Sequence, residues 1–146
     1  MSKSNTMENS LLLLLFNNTD FADIGDATGL QGSGTAGSLY VSLHTSDPGE
    51  AGNQGTNEAD YTGYSRVAVA RTSGGWTISS NAATNAADIE FGACTAGTNE
   101  VSHFGVGTDS TGTGTLLYSG ALTSSLSVSD GITPKFSAGE LDVTED

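Results

Sequence analysis

Few residues in this sequence are of the types that carry out catalysis. His44 lies three positions before Asp47 and serines are abundant, so a Ser-His-Asp arrangement for nucleophilic catalysis is conceivable. The sequence contains no Gly-x-Ser-x-Gly nucleophile elbow, no Cys and His spacing for a metal, and no Gly-Lys-Ser/Thr phosphate loop. We therefore interpret His44 and His103 as partly buried strand residues. We predict a protein without enzymatic activity and without a cofactor.

The remaining residues of reactive or metal-binding types, a cysteine and a group of aspartates, do not indicate a functional site either. Cys94 is the only cysteine, so it cannot form an intramolecular disulfide, and we interpret it as a small hydrophobic residue at a strand end. Asp20, Asp23 and Asp26 recur at every third position, which does not match the spacing of a calcium loop. We expect a solvated acidic edge there and no metal site.

Arg66 and Arg71 are two of only four cations in the chain. Separated by five positions, they lie on opposite faces of a regular strand. One can therefore form an internal ion pair while the other reaches a carboxylate of a partner.

Two strand-like segments flank the histidine and acidic residues. Residues 39–43 place aliphatic side chains at alternate positions, and residues 64–71 alternate large apolar residues with small or charged ones. The long connection between them begins with the turn sequence Asp47-Pro48-Gly49. A loop of this length in a small domain is functional, disordered or held by a neighbouring subunit.

The rest of the chain shows the same short strands and turns. We predict further strands at residues 76–78, 88–91, 100–106, 115–122 and 126–128, and in the segment from Phe136 to Val143. Residues 79–87 are interpreted as a low-complexity connection, and Trp76 as a core residue. The predicted fold is all-β, a single jelly-roll-like β-sandwich of seven or eight short antiparallel strands. It spans residues 39–146, and residues 1–38 form a short N-terminal helix and an irregular arm.

The N-terminal helix has an unusual composition. Asn9 and Ser10 can cap it, residues 17–20 can end it, and residues 1–10 are expected to be a polar tail. Its body is an uninterrupted apolar run: Leu11, Leu12, Leu13, Leu14, Leu15 and Phe16. Such a run is apolar on every face, so we expect it to be buried all round, under the sandwich or in an assembly contact. It is too short for a secretory signal or a membrane span, and we expect synthesis in the cytoplasm.

Composition and charge limit the possible partners. The chain has 146 residues, which suits one domain, and 20 glycines with only 4 Lys plus Arg favour strands and turns. A net charge of −13 repels nucleic-acid phosphates and anionic lipid head groups. We therefore predict no nucleic-acid and no membrane partner. The acidity suits a solvent-facing protein, or one that pairs with a basic partner surface.

Several separated blocks of sequence resemble a family of small tailed-phage virion proteins. The blocks are LYVSLHTSDPGE, YTGYSRVAVAR, a Trp, the Ile-x-Phe of residues 89–91, VSHFGVGT, LLYSGAL and FSAGELDVT, and they cover residues 39–143. Members of this family are labelled tail fibre or minor structural proteins, and small β-domains of this kind also serve as capsid decoration proteins. The resemblance implies a component of the virion and brings no catalytic residues with it.

Our sequence-based hypothesis is a capsid decoration (cement) protein that bridges subunits of the major capsid protein. Its partners would be the major capsid protein or other virion proteins, and we expect a homo-oligomer. Besides residues 11–16, the predicted partner-binding residues are Asp47, Pro48, Glu50, Tyr61, Tyr64 and Arg66. The alternative is a tail fibre or tail adaptor component. A receptor- or glycan-binding tail domain, served by Tyr40, Tyr61 and Tyr64, also remains open.

Overall fold

The protein is mostly β-strand, with one helix at the start of the chain. The computed structural model describes residues 1–146. The elements are α1 (Asn5–Asn17), β1 (Ser38–His44), β2 (Val67–Ala70), β3 (Trp76–Ser79), β4 (Ala82–Asn85), β5 (Ile89–Glu90), β6 (Asn99–Gly107), β7 (Leu116–Val128), β8 (Lys135–Phe136) and β9 (Asp142–Thr144). The structure confirms the prediction of a mostly β chain with antiparallel strands and one helix. The sandwich and its jelly-roll order stay predictions.

The strands form three sheets, and the chain divides into two compact units. The sheets have the orders β2-β1-β6-β7, β3-β4-β9 and β5-β8. The first unit contains Met1–Ser38, Val69–Asp88 and Phe136–Asp146, and the second contains Leu39–Ala68 and Ile89–Lys135. The proposed division of the chain into residues 1–38 and 39–146 stays a prediction.

In the first unit, α1 is longer than the sequence predicted. Ser4, not Asn9 or Ser10, is the N-cap, and its hydroxyl accepts a hydrogen bond from the Met7 amide at 3.3 Å. Residues 5–10, expected to be a tail, therefore form the first turns of the helix. The predicted end is correct: Asn18 adopts the left-handed conformation (φ 54°), and the Thr19 amide donates to the Leu13 carbonyl at 3.1 Å.

The apolar run on α1 is buried on one side only. Leu12 and Phe16 have no exposed surface, and Phe16 meets Trp76 edge to face with ring centroids 4.8 Å apart. The prediction of a core position for Trp76 is therefore confirmed. The other four leucines, Leu11, Leu13, Leu14 and Leu15, are only partly buried. The prediction that this run is buried on every face is therefore wrong for the single chain. Leu12 and Phe16 are four positions apart and share one helix face, and only that face is fully buried.

Arg71 holds the C-terminal end of this helix. Its guanidinium donates to the Leu14 carbonyl at 2.7 Å, the Leu15 carbonyl at 2.6 Å and the Ala36 carbonyl at 3.1 Å. A cation at this position satisfies carbonyls that lack intrahelical partners and lies at the negative end of the helix dipole. Arg71 is therefore used within the first unit.

The three-stranded sheet of the first unit contains a strand that the sequence analysis missed. Residues 82–85, predicted as a connection, form β4 and pair antiparallel with both β3 and β9. Asn85 is 1% exposed, and its amide group donates to the Ser137 and Ala87 carbonyls and accepts from the Leu141 amide. Small side chains and a satisfied buried amide thus replace the large hydrophobic residues that usually reveal a strand.

The second unit is organised around β6. In antiparallel pairing, Val41 lies opposite Val106, and on the other side of β6, Phe104 lies opposite Gly120. The segments 115–122 and 126–128, predicted as separate strands, form the single strand β7, which contains a register shift. The predicted strand at 64–71 is shorter than expected, since only Val67–Ala70 is strand. Tyr64 and Arg66 instead belong to a side-chain network.

Candidate docking site

The long connection after β1 is fixed by hydrogen bonds within the second unit. The Thr45 amide donates to the Asn57 carbonyl at 2.8 Å, and the Ala59 amide donates to the Leu43 carbonyl at 2.9 Å. At its tip, Asp47 Oδ1 accepts from the Gly49 amide at 2.8 Å, an Asx turn. The loop is therefore ordered by its own chain.

A buried Ser-His pair lies where β1 enters this loop. Ser42 Oγ is 2.8 Å from His44 Nε2, and His44 Nδ1 is 2.8 Å from the Thr56 carbonyl oxygen. A carbonyl only accepts, so Nδ1 carries the proton and the Ser42 hydroxyl donates to Nε2. Ser42 and His44 are both 0% exposed, which leaves no access for a substrate. The pair resembles two members of a catalytic triad but is a structural contact.

Burial sets the protonation of His44. Desolvation lowers the pKa of the imidazole, while the hydrogen bond to Thr56 and the charge of Glu58 oppose this shift in part. Space around the ring is also limited, because a Cβ atom on Gly105 would lie 2.6 Å from both His44 Nε2 and Ser42 Oγ. Glycine at position 105 lets the two polar side chains lie against β6.

A second network joins three segments through Arg66. Its Nε and Nη2 donate to the two carboxylate oxygens of Glu58, each at 2.7 Å. Nη1 donates to the Asp109 carbonyl at 2.9 Å and Nη2 to the Gly112 carbonyl at 2.6 Å. Arg66 therefore connects the loop after β1 to the turn between β6 and β7. Of the two arginines for which an internal ion pair was considered, Arg66 is the one that forms it, with Glu58.

Tyr64 and Tyr61 also point inward. The Tyr64 hydroxyl donates to Glu58 at 2.8 Å and accepts from the Leu43 amide at 3.0 Å, and burial raises the pKa of the phenol. Tyr61 donates to the Gly92 carbonyl at 2.9 Å. The rings of Tyr61 and Tyr64 meet edge to face at 5.4 Å. Tyr61 is buried, and the half-buried Tyr64 ring also stacks on Phe91 with ring centroids 6.2 Å apart, so both rings are used in contacts within the second unit.

An open groove of about 640 Å³ lies beside the loop. One wall is the turn of residues 47–52, the other is residues 116–121 of β7, and His103 also lines the groove. Asp47 and Glu50 are exposed on the first wall, whereas Pro48 is buried. The lining residues include no lysine or arginine. The groove is therefore acidic, and one of its walls is a strand at the edge of a sheet.

The structure thus separates the predicted partner-binding residues into three groups. Asp47 and Glu50 lie at the groove, and the residues of the apolar run lie on α1 in the first unit. The others lie within the second unit, where Pro48, Tyr61 and Arg66 are buried and Tyr64 is half-buried. The β7 wall and Glu58 were missed. Hydrophobic alternation identified β7 as a strand, but it carries no information on which strand lies at a sheet edge.

Two further observations concern metals and membranes. No group of three or more His, Cys, Asp or Glu residues is placed to hold a metal ion. No helix combines the length and apolar character that crossing a membrane requires.

A β-rich acidic chain with its Ser42–His44 pair sealed from solvent, and with an open groove beside a sheet edge, has the features of a structural protein. Comparison with known families gives the particular kind. Residues 2–144 match the family described as Podophage GP4 fiber I protein gp80, and the chain belongs to this family. It is a non-enzymatic structural protein of the phage virion, as the resemblance implied. No curated protein sequence matches the chain.

The family also decides between the two virion roles considered from the sequence. It is described as a family of fibre proteins, which supports the alternative hypothesis over capsid decoration. A fibre protein has other virion proteins as its partners. The major capsid protein as the specific partner, and a homo-oligomeric state, stay predictions.

Proposed function

We propose that this chain is a component of the tail fibre that joins the virion by docking to other virion proteins. The observation that carries this proposal is the match to a fibre-protein family over residues 2–144. The internal networks support a role in docking, because a loop already held by Glu58 and Arg66 loses little conformational freedom when a partner binds beside it.

Of the predicted partner-binding residues, we propose those that the structure leaves accessible. These are Asp47 and Glu50 at the groove, and the partly exposed leucines of α1: Leu11, Leu13, Leu14 and Leu15. Tyr61, Tyr64 and Arg66 would act indirectly, by holding the loop in place. The same internal use of Tyr61 and Tyr64 removes two of the three tyrosines that favoured a glycan-binding domain.

The position and number of copies in the virion test this proposal. Electron microscopy of virions labelled with Fab fragments against the chain should place the label on the tail. Quantitative mass spectrometry should find far fewer copies than of the major capsid protein. Label distributed over the head, with copies in a small integer ratio to the major capsid protein, would instead establish capsid decoration.

A further inference from the structure

Residues 18–33, which follow α1 in the first unit, form a closed loop that we call the finger. At its base, the Asn18 side-chain amide donates to the Ser33 carbonyl at 2.8 Å, and the Ser33 amide donates to Asn18 Oδ1 at 2.7 Å. The Gly32 amide donates to Asp20 Oδ1 at 2.8 Å. A Cβ atom on Gly32 would lie 2.5 Å from the Asn18 carbonyl oxygen, so the two ends of the finger lie in close contact.

Hydrogen bonds also fix the outer part of the finger. Phe21 and Leu30 exchange two backbone hydrogen bonds, of 2.8 and 2.9 Å. Within the turn that joins them, Asp26 Oδ1 accepts from the Thr28 amide at 2.8 Å. Gly29 has a φ of 64°, and a Cβ atom there would lie 2.0 Å from the Phe21 carbonyl oxygen, so this position requires glycine. The finger is therefore held in one shape by its own hydrogen bonds.

The finger presents apolar side chains to solvent. Ile24 is 40% exposed and Leu30 is 46% exposed, while Phe21 is half-buried. Phe21 and Leu30 lie directly opposite each other in an antiparallel bridge, so their side chains lie on the same face of the finger. A folded segment that keeps large apolar side chains together in water is typical of an interaction surface.

The charge of the finger limits the kind of partner. Asp20, Asp23 and Asp26 are all exposed, and residues 18–33 include no lysine or arginine. Arg71 reaches the base of the finger, where its Nη1 donates to the Ser33 hydroxyl at 3.3 Å. A partner that covers the outer part of the finger must therefore bring positive charge of its own to compensate these carboxylates.

A second copy of this chain is poorly suited to supply that charge. Each copy carries a net charge of −13, so two copies repel each other. Three of the four cations in a copy are already engaged: Lys3 with Glu145, Arg66 with Glu58, and Arg71 with backbone carbonyls of α1. The charge complement of the finger must therefore come from a different protein.

Resting on the proposed function, we propose that the finger inserts into a cleft of a different virion protein, one that is apolar inside and carries Lys or Arg residues at its rim. Ile24 and Leu30 enter the cleft, and Asp23 meets the basic rim. Burial of the apolar side chains supplies affinity, whereas the carboxylates select the partner and speed association. Because the finger is closed before the partner arrives, little conformational freedom is lost on binding.

Cross-linking in assembled virions identifies the partner. The full chain is produced with Ala27→p-benzoylphenylalanine, which places a photo-reactive group at an exposed position near the tip of the finger, and the cross-linked peptides are identified by mass spectrometry. We expect a cross-link to a different virion protein, close to Lys or Arg residues of that protein. A cross-link between two copies of this chain, or none to any virion protein, would overturn the proposal.

Binding of the full chain to the purified partner then tests the two parts of the finger surface. Ile24→Ala/Leu30→Ala should weaken binding about 10- to 100-fold, because apolar surface is no longer buried. Asp23→Asn should slow association about two- to fivefold at low salt, and this difference should disappear at high salt. Asp23 has a φ of 65°, a conformation that Asn also tolerates, so this variant should keep the shape of the finger.

Matched controls change the same residue types outside the finger. Leu126 and Ile132 are 37% and 39% exposed, so Leu126→Ala/Ile132→Ala removes similar apolar surface and should leave binding unchanged. Asp130→Asn removes one exposed charge and should leave the association rate unchanged. Equal binding by the finger variants and these controls would overturn the proposal. The position and copy number of the chain in the virion test the proposed function separately, so the two failures are distinguishable.

Discussion

The side chains of Arg66 and Glu58 form a two-point ion pair, with both hydrogen bonds at 2.7 Å. The Arg66 side chain is 3% exposed and that of Glu58 is 18% exposed, so water competes weakly for either partner. Arg66 also bonds to the carbonyls of Asp109 and Gly112. One residue therefore joins the loop after β1 to the turn that precedes β7, the two segments nearest to the groove.

Removing this guanidinium should be costly. We expect Arg66→Ala to lower the free energy of unfolding by about 3–5 kcal/mol, because Glu58 and two carbonyls lose a buried donor. Arg66→Lys should recover only part of the loss, since an ammonium cannot bind both carboxylate oxygens in the same way. Urea unfolding followed by circular dichroism measures the effect. A loss within about 0.5 kcal/mol, typical of exposed pairs, would contradict this role.

Stability should fall as the pH is lowered through the range in which histidine titrates. The pKa of His44 is lowered in the folded state, chiefly by burial, so the unfolded chain binds this proton more readily. Stability is therefore greatest above the unfolded pKa of about 6.5 and declines below it, by up to about 1.4 kcal/mol per pH unit.

Unfolding of wild type and His44→Asn at pH values from 7.5 to 5 measures this slope. Asn keeps a donor for the Thr56 carbonyl but does not titrate, so the slope in this range should be smaller. Equal slopes in wild type and His44→Asn would show that another group controls the response.

The contacts of Arg71 predict a specific loss of helix stability. Arg71→Ala should reduce the free energy of unfolding by about 1–3 kcal/mol, because the Leu14 and Leu15 carbonyls lose a charged donor at the helix end. Lys3→Ala, which removes a surface pair with Glu145, should cost less than about 1 kcal/mol. Hydrogen exchange of the last turn of α1 should increase in the first variant only. Unchanged exchange there would rule out this capping role.

Gly105 provides a steric test of the buried Ser-His pair. In Gly105→Ala the new Cβ would lie 2.6 Å from Ser42 Oγ and His44 Nε2, so both must move. We expect a cost of about 1–3 kcal/mol. Gly34→Ala is the matched control, since no atom lies within 4 Å of its added Cβ. Thermal unfolding of the two variants should therefore differ clearly, and similar melting temperatures would contradict the packing described.

The sequence predicted the parts of this fold that depend on local pattern. The alternation in residues 39–43 identified β1, and the polar cluster of residues 17–20 marked the end of α1, which the structure places at Asn17. Prediction from the sequence failed where tertiary contacts, and not a local pattern, determine the structure. β4 has only small or polar side chains, and Asn85 becomes acceptable in a core because three backbone groups bond to its amide.

The sequence predicted less of the candidate site than of the fold. The Asp47-Pro48-Gly49 signal located the loop, and Asp47 and Glu50 do line the groove. The opposite wall is far away along the chain, so its proximity follows from strand order, which local patterns do not determine. For the same reason, the sequence did not identify Glu58 as the partner of Arg66, because Glu58 lies in the loop after β1, for which no structure was predicted.

Trp76 gives the molecule an internal spectroscopic label. It is the only tryptophan, it is fully buried against Phe16, and its indole N–H has no hydrogen-bond partner. Its fluorescence therefore arises from an apolar environment and reports on the first unit alone, whereas far-ultraviolet circular dichroism averages over every strand. Unfolding followed by both signals distinguishes damage to the helix-bearing unit from damage to the unit that carries the groove.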